Sequence, residues 1–198
     1  MMINTIIGEQ NYEKIRDLIG VILADELANQ NVLQANPLLL ANIYIERGIA
    51  FDKTELPAIN ISLNSANYDE KFRTESSGET KYYIEVQTNR AHSSSKQGDE
   101  QSSLDVQYLA GKIRAILEHP VYSALQQKGI VGGTQIASIQ IGKMQQLDAQ
   151  HSTVARLEFN VRMIESNGAN DALTVAGIDS DFSVTDTDLG YKIITNNS

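Results

Sequence analysis

The chain of 198 residues contains no cysteine and no tryptophan. The absence of cysteine excludes disulfide bonds, thiolate metal sites and cysteine nucleophiles. Stability must therefore come from burial, and a chain of this length with 41% hydrophobic residues can form one sizeable core. The composition predicts one domain, or one domain with an appendage, and fits a reducing compartment.

Long hydrophobic runs are also missing. The densest apolar stretch, LIGVILA, is followed at once by Asp25 and Glu26, whereas crossing a bilayer takes about 20 apolar residues. The first residues, MMINTIIGEQNYEK, lack the basic start and the apolar stretch of a signal peptide. We expect a protein that is neither secreted nor membrane-spanning.

Positive charge is scarce, with 16 Lys and Arg against 25 Asp and Glu and a formal net charge of −9. Because nucleic-acid binding depends on neutralising phosphates with basic side chains, this balance disfavours a nucleic-acid grip. It remains compatible with a protein that only lets DNA pass. Six acids from Glu165 onward stand against Lys192 alone, so the C-terminal segment holds −5 of the −9.

Familiar cofactor and metal motifs are absent from the sequence. His92, His119 and His151 are far apart and show no metal-binding spacing. Gly132-Gly133 is not followed by the Lys-Ser/Thr of a phosphate loop. The stretch GIDSDFSVTDTDLG has two Asp-x-Asp pairs but lacks the mid-loop glycine and closing Glu of a calcium loop, and so favours acidic turns. We predict no cofactor and no metal.

Hydrophobic periodicity predicts two main helices. In the first, Tyr12 to Asn29, apolar residues recur at three- and four-residue steps. The second is predicted to begin near Ser102, whose hydroxyl with Asp105 three residues later is typical of a helix N-terminus, and to stop before Pro120.

Alternating polar and apolar residues predict strands between and after the helices. The stretch NSANYDEKFRTESSGET predicts an exposed hairpin tip or arm, and GYKIITN a final edge strand. One-sided strands of this kind predict an α+β fold, an antiparallel or mixed β-sheet with two main helices packed on one face. The predicted strands are Leu39 to Glu46, Pro57 to Leu63, Lys81 to Thr88, a stretch whose apolar row is Ala137, Ile139 and Ile141, and ARLEFNVRM.

The face of this sheet without helices carries mainly hydrogen-bonding side chains, which could meet water or a partner. A polar connection from Thr88 to Ser103 is much longer than the usual 4 to 6 or so residues, a length typical of functional or disordered segments. The residues on the polar face are Tyr44, Asn60, Ser62, Tyr83, Glu85, Gln87, Arg156, Glu158, Asn160 and Arg162.

One enzymatic alternative uses Asp69, Glu85 and Gln87. Glu85 and Gln87 share a strand face in YIEVQ, and with Asp69 upstream they loosely resemble the Asp...Glu-x-Lys site of divalent-metal nucleases. Glutamine stands where that site has the lysine that polarises the attacking water. The acidic net charge also weighs against a nuclease.

The order of elements, NYEKIRDLIGVILADEL, LPAINISL, KYYIEVQTNR, a polar loop, LDVQYLAGKIRAIL and ARLEFNVRM, resembles the tail terminator family of bacteriophage minor tail (neck) proteins. The resemblance covers roughly Tyr12 to Glu165. It implies a structural virion protein without enzymatic activity, whose homo-oligomeric ring, often a hexamer, caps the tail tube, stops its polymerisation and offers the interface for head attachment.

The same resemblance implies the partners: copies of the chain, the tail tube protein and head-tail connector proteins, with DNA only passing through the lumen and no membrane. It implies assembly in the host cytoplasm and residence in the virion. A head-tail connector or head-completion protein is the nearest alternative.

Two further predictions concern the organisation of such a subunit. Residues 1–165 are expected to form the terminator-like α+β domain, and residues 166–198 an acidic C-terminal extension that adds a strand or an arm. A loop with both charge signs is suited to ordering on a neighbouring subunit or on the tube. The predicted contact residues are Arg90, His92, Lys96, Asp99 and Glu100.

Overall fold

Two long helices lie over one seven-stranded sheet in the computed structural model, which describes residues 8–71, 75–91, 98–143, 150–166, 182–187 and 190–195. Short 3-10 turns occupy Pro37–Leu39, Lys53–Glu55 and Pro120–Gln126. The helices are α1 (Asn11–Gln34) and α2 (Gly98–Leu117), and the strands are β1 (Asn42–Ile45), β2 (Ala58–Lys71), β3 (Glu75–Ala91), β4 (Val131–Lys143), β5 (Gln150–Ser166), β6 (Phe182–Thr187) and β7 (Gly190–Thr195).

The sheet is mixed, with strand order β4-β5-β3-β2-β1-β7-β6. Only β1 and β2 run parallel, and every other neighbouring pair is antiparallel. Parallel neighbours need a crossover rather than a tight hairpin, and residues 46–57 supply it. The long β2–β3 hairpin is the predicted arm, and strand pairing, with two register shifts, continues along it to Lys71 opposite Ser76.

A single apolar core lies between the helices and one face of the sheet. Alternate residues of β3 and β5 point into it, among them Tyr82, Ile84 and Phe159, each fully buried. Ile19 of α1 and Ile113 of α2 meet them from above. The predicted fold class is therefore confirmed: an α+β fold with a mixed sheet and two helices on one face.

Helix α1 is longer than its apolar stripe predicts. At its start, the Glu165 carboxylate of β5 accepts hydrogen bonds from the backbone N–H groups of Asn11 and Tyr12, both at 2.8 Å, satisfying donors that a helix leaves unpaired. The predicted end at Asn29 is wrong, because no breaker occurs before Asn36-Pro37 and the helix continues to Gln34. Its last turn extends beyond the core, so its side chains are not buried and the apolar pattern no longer indicates a helix there.

The long polar connection is also shorter than predicted. Strand β3 continues to Ala91 and α2 begins at Gly98, so the connection between these two elements is residues 92–97, which lie outside the described part of the chain. The prediction failed because polar residues extend both elements, and β5 pairs with β3 as far as Gln150 opposite Ala91. Ser102 and Asp105, predicted at the helix start, lie inside α2 and face β3.

Strand β4 contains a bulge that corrects the predicted apolar row. The register shifts between Ile136 and Ser138, so Ala137 is the extra residue. Ile139 lies opposite Leu157, and Ile141 opposite Ala155, on the helix side of the sheet. Ile136, rather than Ala137, is the third member of that row.

The described part of the C-terminal extension forms a β-hairpin. Strand β7 pairs with β1 on one side and with β6 on the other. The predicted strand at GYKIITN is thus present but internal, because β6 takes the edge. Within the described ranges, neither helix has the length and apolar content needed to cross a membrane.

Candidate interaction surfaces

Hydrogen bonds and an ion pair link the C-terminal turn of α1, the last residues of β3 and the first half of α2. We call this region the loop end and define it as residues 30–40, 88–91 and 98–108. The Tyr108 hydroxyl of α2 donates a 2.8 Å hydrogen bond to Oε1 of Gln34, which ties the two helices together there.

Buried hydrogen bonds anchor α2 to β3 at the loop end. Thr88 Oγ1 donates to the Ser102 carbonyl oxygen at 2.9 Å, and Ser102 Oγ donates to the Thr88 carbonyl oxygen at 3.2 Å. Ser152 Oγ of β5 donates to the same Thr88 oxygen. Because these groups are buried and satisfied, they give the connection between β3 and α2 a rigid base.

The predicted contact residues have different environments. Arg90 is exposed but forms an ion pair with Asp105 of α2, so its charge is already paired within the chain. Glu100 is exposed in the first turn of α2, where the helix dipole favours a carboxylate. Asp99 belongs to the same turn by its backbone, and its side chain lies outside the described set, as do His92 and Lys96 altogether.

An exposed apolar group at the loop end was missed by the sequence prediction. Val32 and Leu33 in the last turn of α1 are 76% and 70% exposed, and Leu40 after the next turn is 58% exposed. Val32 and Leu33 fall in NQNVLQANP, which the periodicity assigned to a connection after the helix, and Leu40 falls in the predicted strand Leu39 to Glu46. Extending α1 to the next helix breaker would have revealed the pair. We call these three residues the loop-end apolar group.

The open face of the sheet carries a ladder of paired charges. Arg156 Nε donates to Oε1 of Glu85 at 2.9 Å, and its guanidinium carbon lies 4.7 Å from the centre of the Tyr83 ring. Lys81 Nζ lies 3.2 Å from Oε1 of Glu158 on the neighbouring strand. Positive and negative side chains alternate across the strands, so this face does not form a patch of a single charge.

Part of the face predicted to be open is covered. The crossover 46–57 folds over β1 and β2, and Arg47 packs against the rings of Tyr44 and Phe51, with its guanidinium carbon 4.6 Å from each ring centre. Its two terminal nitrogens each donate to a different oxygen of Glu55 at 2.8 Å. Tyr44 and Asn60 are consequently only 5% and 4% exposed.

The ion pair between Arg47 and Glu55 has a large effect on the pKa of the carboxyl group. The Arg47 guanidinium lowers the pKa of Glu55 from 4.5 to about 2, because it donates two hydrogen bonds to the carboxylate. The Glu165 carboxylate at the start of α1 shows the opposite effect, since burial raises its pKa. Both groups connect secondary-structure elements within the chain.

The residues of the nuclease alternative are not brought together. Asp69 adjoins the Glu70–Ser77 pair near the tip of the hairpin, and at about 3.4 Å per residue Ser77 lies about 27 Å along β3 from Glu85. Glu85 is engaged by Arg156, and Gln87 is 5% exposed with its amide donating to Ser152 Oγ. Among the described residues, no three His, Asp or Glu side chains are grouped closely enough to hold a metal ion.

Comparisons with known proteins do not identify a family for this chain. No family model matches the chain, and no curated protein matches it. One solved structure, named only by a sequence identifier, shares 16% identity, and the match covers 74% of this chain and 94% of that one with a TM-score of 0.39. A match at this level assigns neither a fold family nor a function.

Proposed function

We propose that the protein is a structural subunit of a bacteriophage neck, a tail terminator whose copies form a closed ring on the end of the tail tube. The ring stops tube polymerisation and provides the interface for head attachment. Its partners are copies of itself, the tail tube protein and head-tail connector proteins, and its place is the virion after assembly in the host cytoplasm. DNA only passes through the lumen.

The observation that carries the proposal is the loop-end apolar group. Val32 and Leu33 in the last turn of α1, and Leu40 just after the 3-10 turn Pro37–Leu39, each expose more than half of their surface. Exposed aliphatic side chains grouped in this way are typical of protein contact sites. Single exposed aliphatic residues are ordinary on protein surfaces. The concentration of three within residues 32–40 favours docking against another protein.

The surroundings of this group support a docking role. The hydrogen bonds between Thr88 and Ser102 hold the loop end in place, so little order has to be gained when a partner binds. Glu100 adds an exposed acidic group in the first turn of α2. Such charges at the rim of a contact improve orientation and specificity more than affinity.

The first test is the mass of the protein in solution, measured by native mass spectrometry over a range of concentrations. A closed multimer of defined size is the expected result. A monomer at every concentration contradicts the ring. If that monomer cleaves DNA with magnesium and loses the activity in Glu85→Ala, the nuclease alternative is correct instead.

The second test measures tube length by electron microscopy, using the tail tube protein encoded nearest to this gene in the same genome. Wild-type protein should shorten and cap growing tubes. The double variant Leu33→Glu, Leu40→Glu should keep its multimeric mass but lose capping, because a charge replaces each apolar contact. Ile49→Glu, also at an exposed position (56%), is the matched control and should cap normally. If the double variant still caps tubes, the loop end is not the contact with the tube. If the wild-type protein binds the head connector but does not cap tubes, the connector role is favoured.

A further inference from the structure

Strand β4 is a weakly protected edge of the sheet. Natural edge strands are commonly protected by charged residues or proline, yet β4 contains no proline and no charged residue before Lys143 at its end. Its pairing with β5 is interrupted by two register shifts, one between Val131 and Gly133 and one at Ala137. Ile139 and Ile141 on this strand are 38% and 47% exposed, although their neighbours on β5, Leu157 and Ala155, are fully buried.

The opposite edge of the same sheet is β6. Following the pairings from β4 through β5, β3, β2, β1 and β7 shows that β4 and β6 run in opposite directions. If one copy is rotated about an axis along the strands, its strand directions stay the same. Its β6 then meets β4 of the next copy antiparallel, with the helices of both copies on the same side.

The charges of the two edge regions are complementary. Residues 127–162, which include β4 and most of β5, carry four basic and two acidic residues, a net charge of +2. Residues 166–198, which include β6, carry five acids and one lysine, a net charge of −4. Opposite charges favour contact between different edges and disfavour contact of the acidic edge with its own copy.

We propose that β4 of one copy pairs antiparallel with β6 of a second copy, so that one sheet continues from subunit to subunit. The inference rests on the proposed ring, because a head-to-tail contact between two different edges is the kind that closes into one. It makes the acidic extension part of the assembly contact. Strand addition of this kind derives its affinity from main-chain hydrogen bonds and its specificity from side chains such as Ile139 and Ile141.

This arrangement separates the two contacts of the subunit. With the ring axis along the strands, the edges face neighbouring copies, and the loop end of every copy lies on one face of the ring. Seven strands at about 4.8 Å each make a subunit about 34 Å wide along the ring. The loop-end apolar group is thereby left available for the tube.

Engineered cysteines test the contact directly, because the natural chain has none. Gln140→Cys lies on β4 and Thr185→Cys on β6, and a short bifunctional thiol reagent joins them only if the edges meet. The double variant should give a ladder of covalent multimers up to the ring. A mixture of the two single variants should give dimers only, and each single variant alone should stay monomeric on a denaturing gel.

Two results would overturn the edge contact. Dimers from Gln140→Cys alone would show that β4 meets β4 in a two-fold pair, and a double variant without any ladder would show that the two edges do not meet. If wild-type protein still has a ring mass in either case, the proposed function survives and only this inference fails. A monomeric wild-type protein ends both.

A second variant checks the side-chain part of the contact. Ile139→Glu with Ile141→Glu places two charges on the edge and opposes the acidic hairpin, so the multimer should dissociate to the monomer mass. Ile49→Glu is again the control and should leave the mass unchanged. Circular dichroism confirms that each variant is folded, and an intact multimer of the folded double variant contradicts the role of these residues.

Discussion

The two faces of β3 and β5 differ completely, although both are formed by alternate residues of the same two strands. On the helix side, Tyr82, Ile84 and Phe159 are fully buried. On the open side, Tyr83, Glu85 and Arg156 are partly exposed and joined by an ion pair and a cation–π contact. The comparison shows that stability is concentrated on one face, whereas the other is free to vary or to meet a partner.

The largest effect should come from the helix side. Phe159→Ala removes a fully buried ring on the helix side of β5 and should lower the free energy of unfolding by about 3–5 kcal/mol. Urea unfolding followed by circular dichroism measures it. Ile49→Ala, at an exposed position (56%) in the crossover, is the control, at about 1 kcal/mol or less, and equal losses would contradict the difference between core and surface.

The next effect tests the covered part of the open face. Glu55→Gln leaves the Arg47 guanidinium, packed against two aromatic rings, without its carboxylate partner and should cost about 2–3 kcal/mol at neutral pH. Glu118→Gln, which removes a solvent-exposed pair with Arg114, should cost less than about 0.5 kcal/mol.

The cost of Glu55→Gln should also depend on pH. Because the folded-state pKa of Glu55 is lowered from 4.5 to about 2, its carboxylate stabilises the fold above pH 4.5 and loses that contribution as the pH falls toward 2. The difference between wild type and Glu55→Gln should therefore shrink over that range. A difference that stays constant would contradict the ion pair as its source.

A smaller effect should come from the hairpin arm. A Cβ atom added at Gly78 would lie 1.8 Å from the backbone oxygen of Asn67, so the two strands must move apart. Gly78→Ala should cost about 1–3 kcal/mol and increase amide hydrogen exchange along the arm. Gly133→Ala, with open space around the added atom, is the control and should be nearly neutral.

The smallest effect belongs to the open-face ladder. Arg156 and Glu85 are close but about half and one-third exposed in their side chains, so water and salt screen the pair. A double-mutant cycle with Arg156→Gln and Glu85→Gln should give a coupling energy of about 0.5 kcal/mol. A coupling as large as the loss in Phe159→Ala would remove the distinction between the faces.

Hydrophobic alternation predicted the strands around Ile59, Ile84 and Leu157 well, because each has one row in the core. It failed where polar residues continue an element, as at Thr88 to Ala91 and in the first turn of α2. There the structure is held by pairing with β5 and by hydrogen bonds such as Thr88 to Ser102. Such partners are distant along the chain, so local patterns do not report them.

For the contact surfaces, the sequence predicted some of the charged residues but not the partners with which they pair. Arg90 and Glu100 were identified as charged residues near a connection, but the pairing of Arg90 with Asp105 depends on how α2 docks on β3. The Arg47–Glu55 pair and its two aromatic rings were not predicted, since nothing in their spacing indicates that residues 46–57 fold over the sheet. Val32 and Leu33 were overlooked because the helix outlasts its buried stripe.

By itself, the sequence determined the class of the fold and which row of each main strand enters the core, because burial of apolar side chains follows local periodicity. It also determined that no disulfide can form. Only the tertiary structure decided the strand order, the shift of β4 at Ala137, the covering of β1 by the crossover and the placing of β6 at the edge. These depend on contacts between residues far apart in the chain, whose energies appear only once the segments meet.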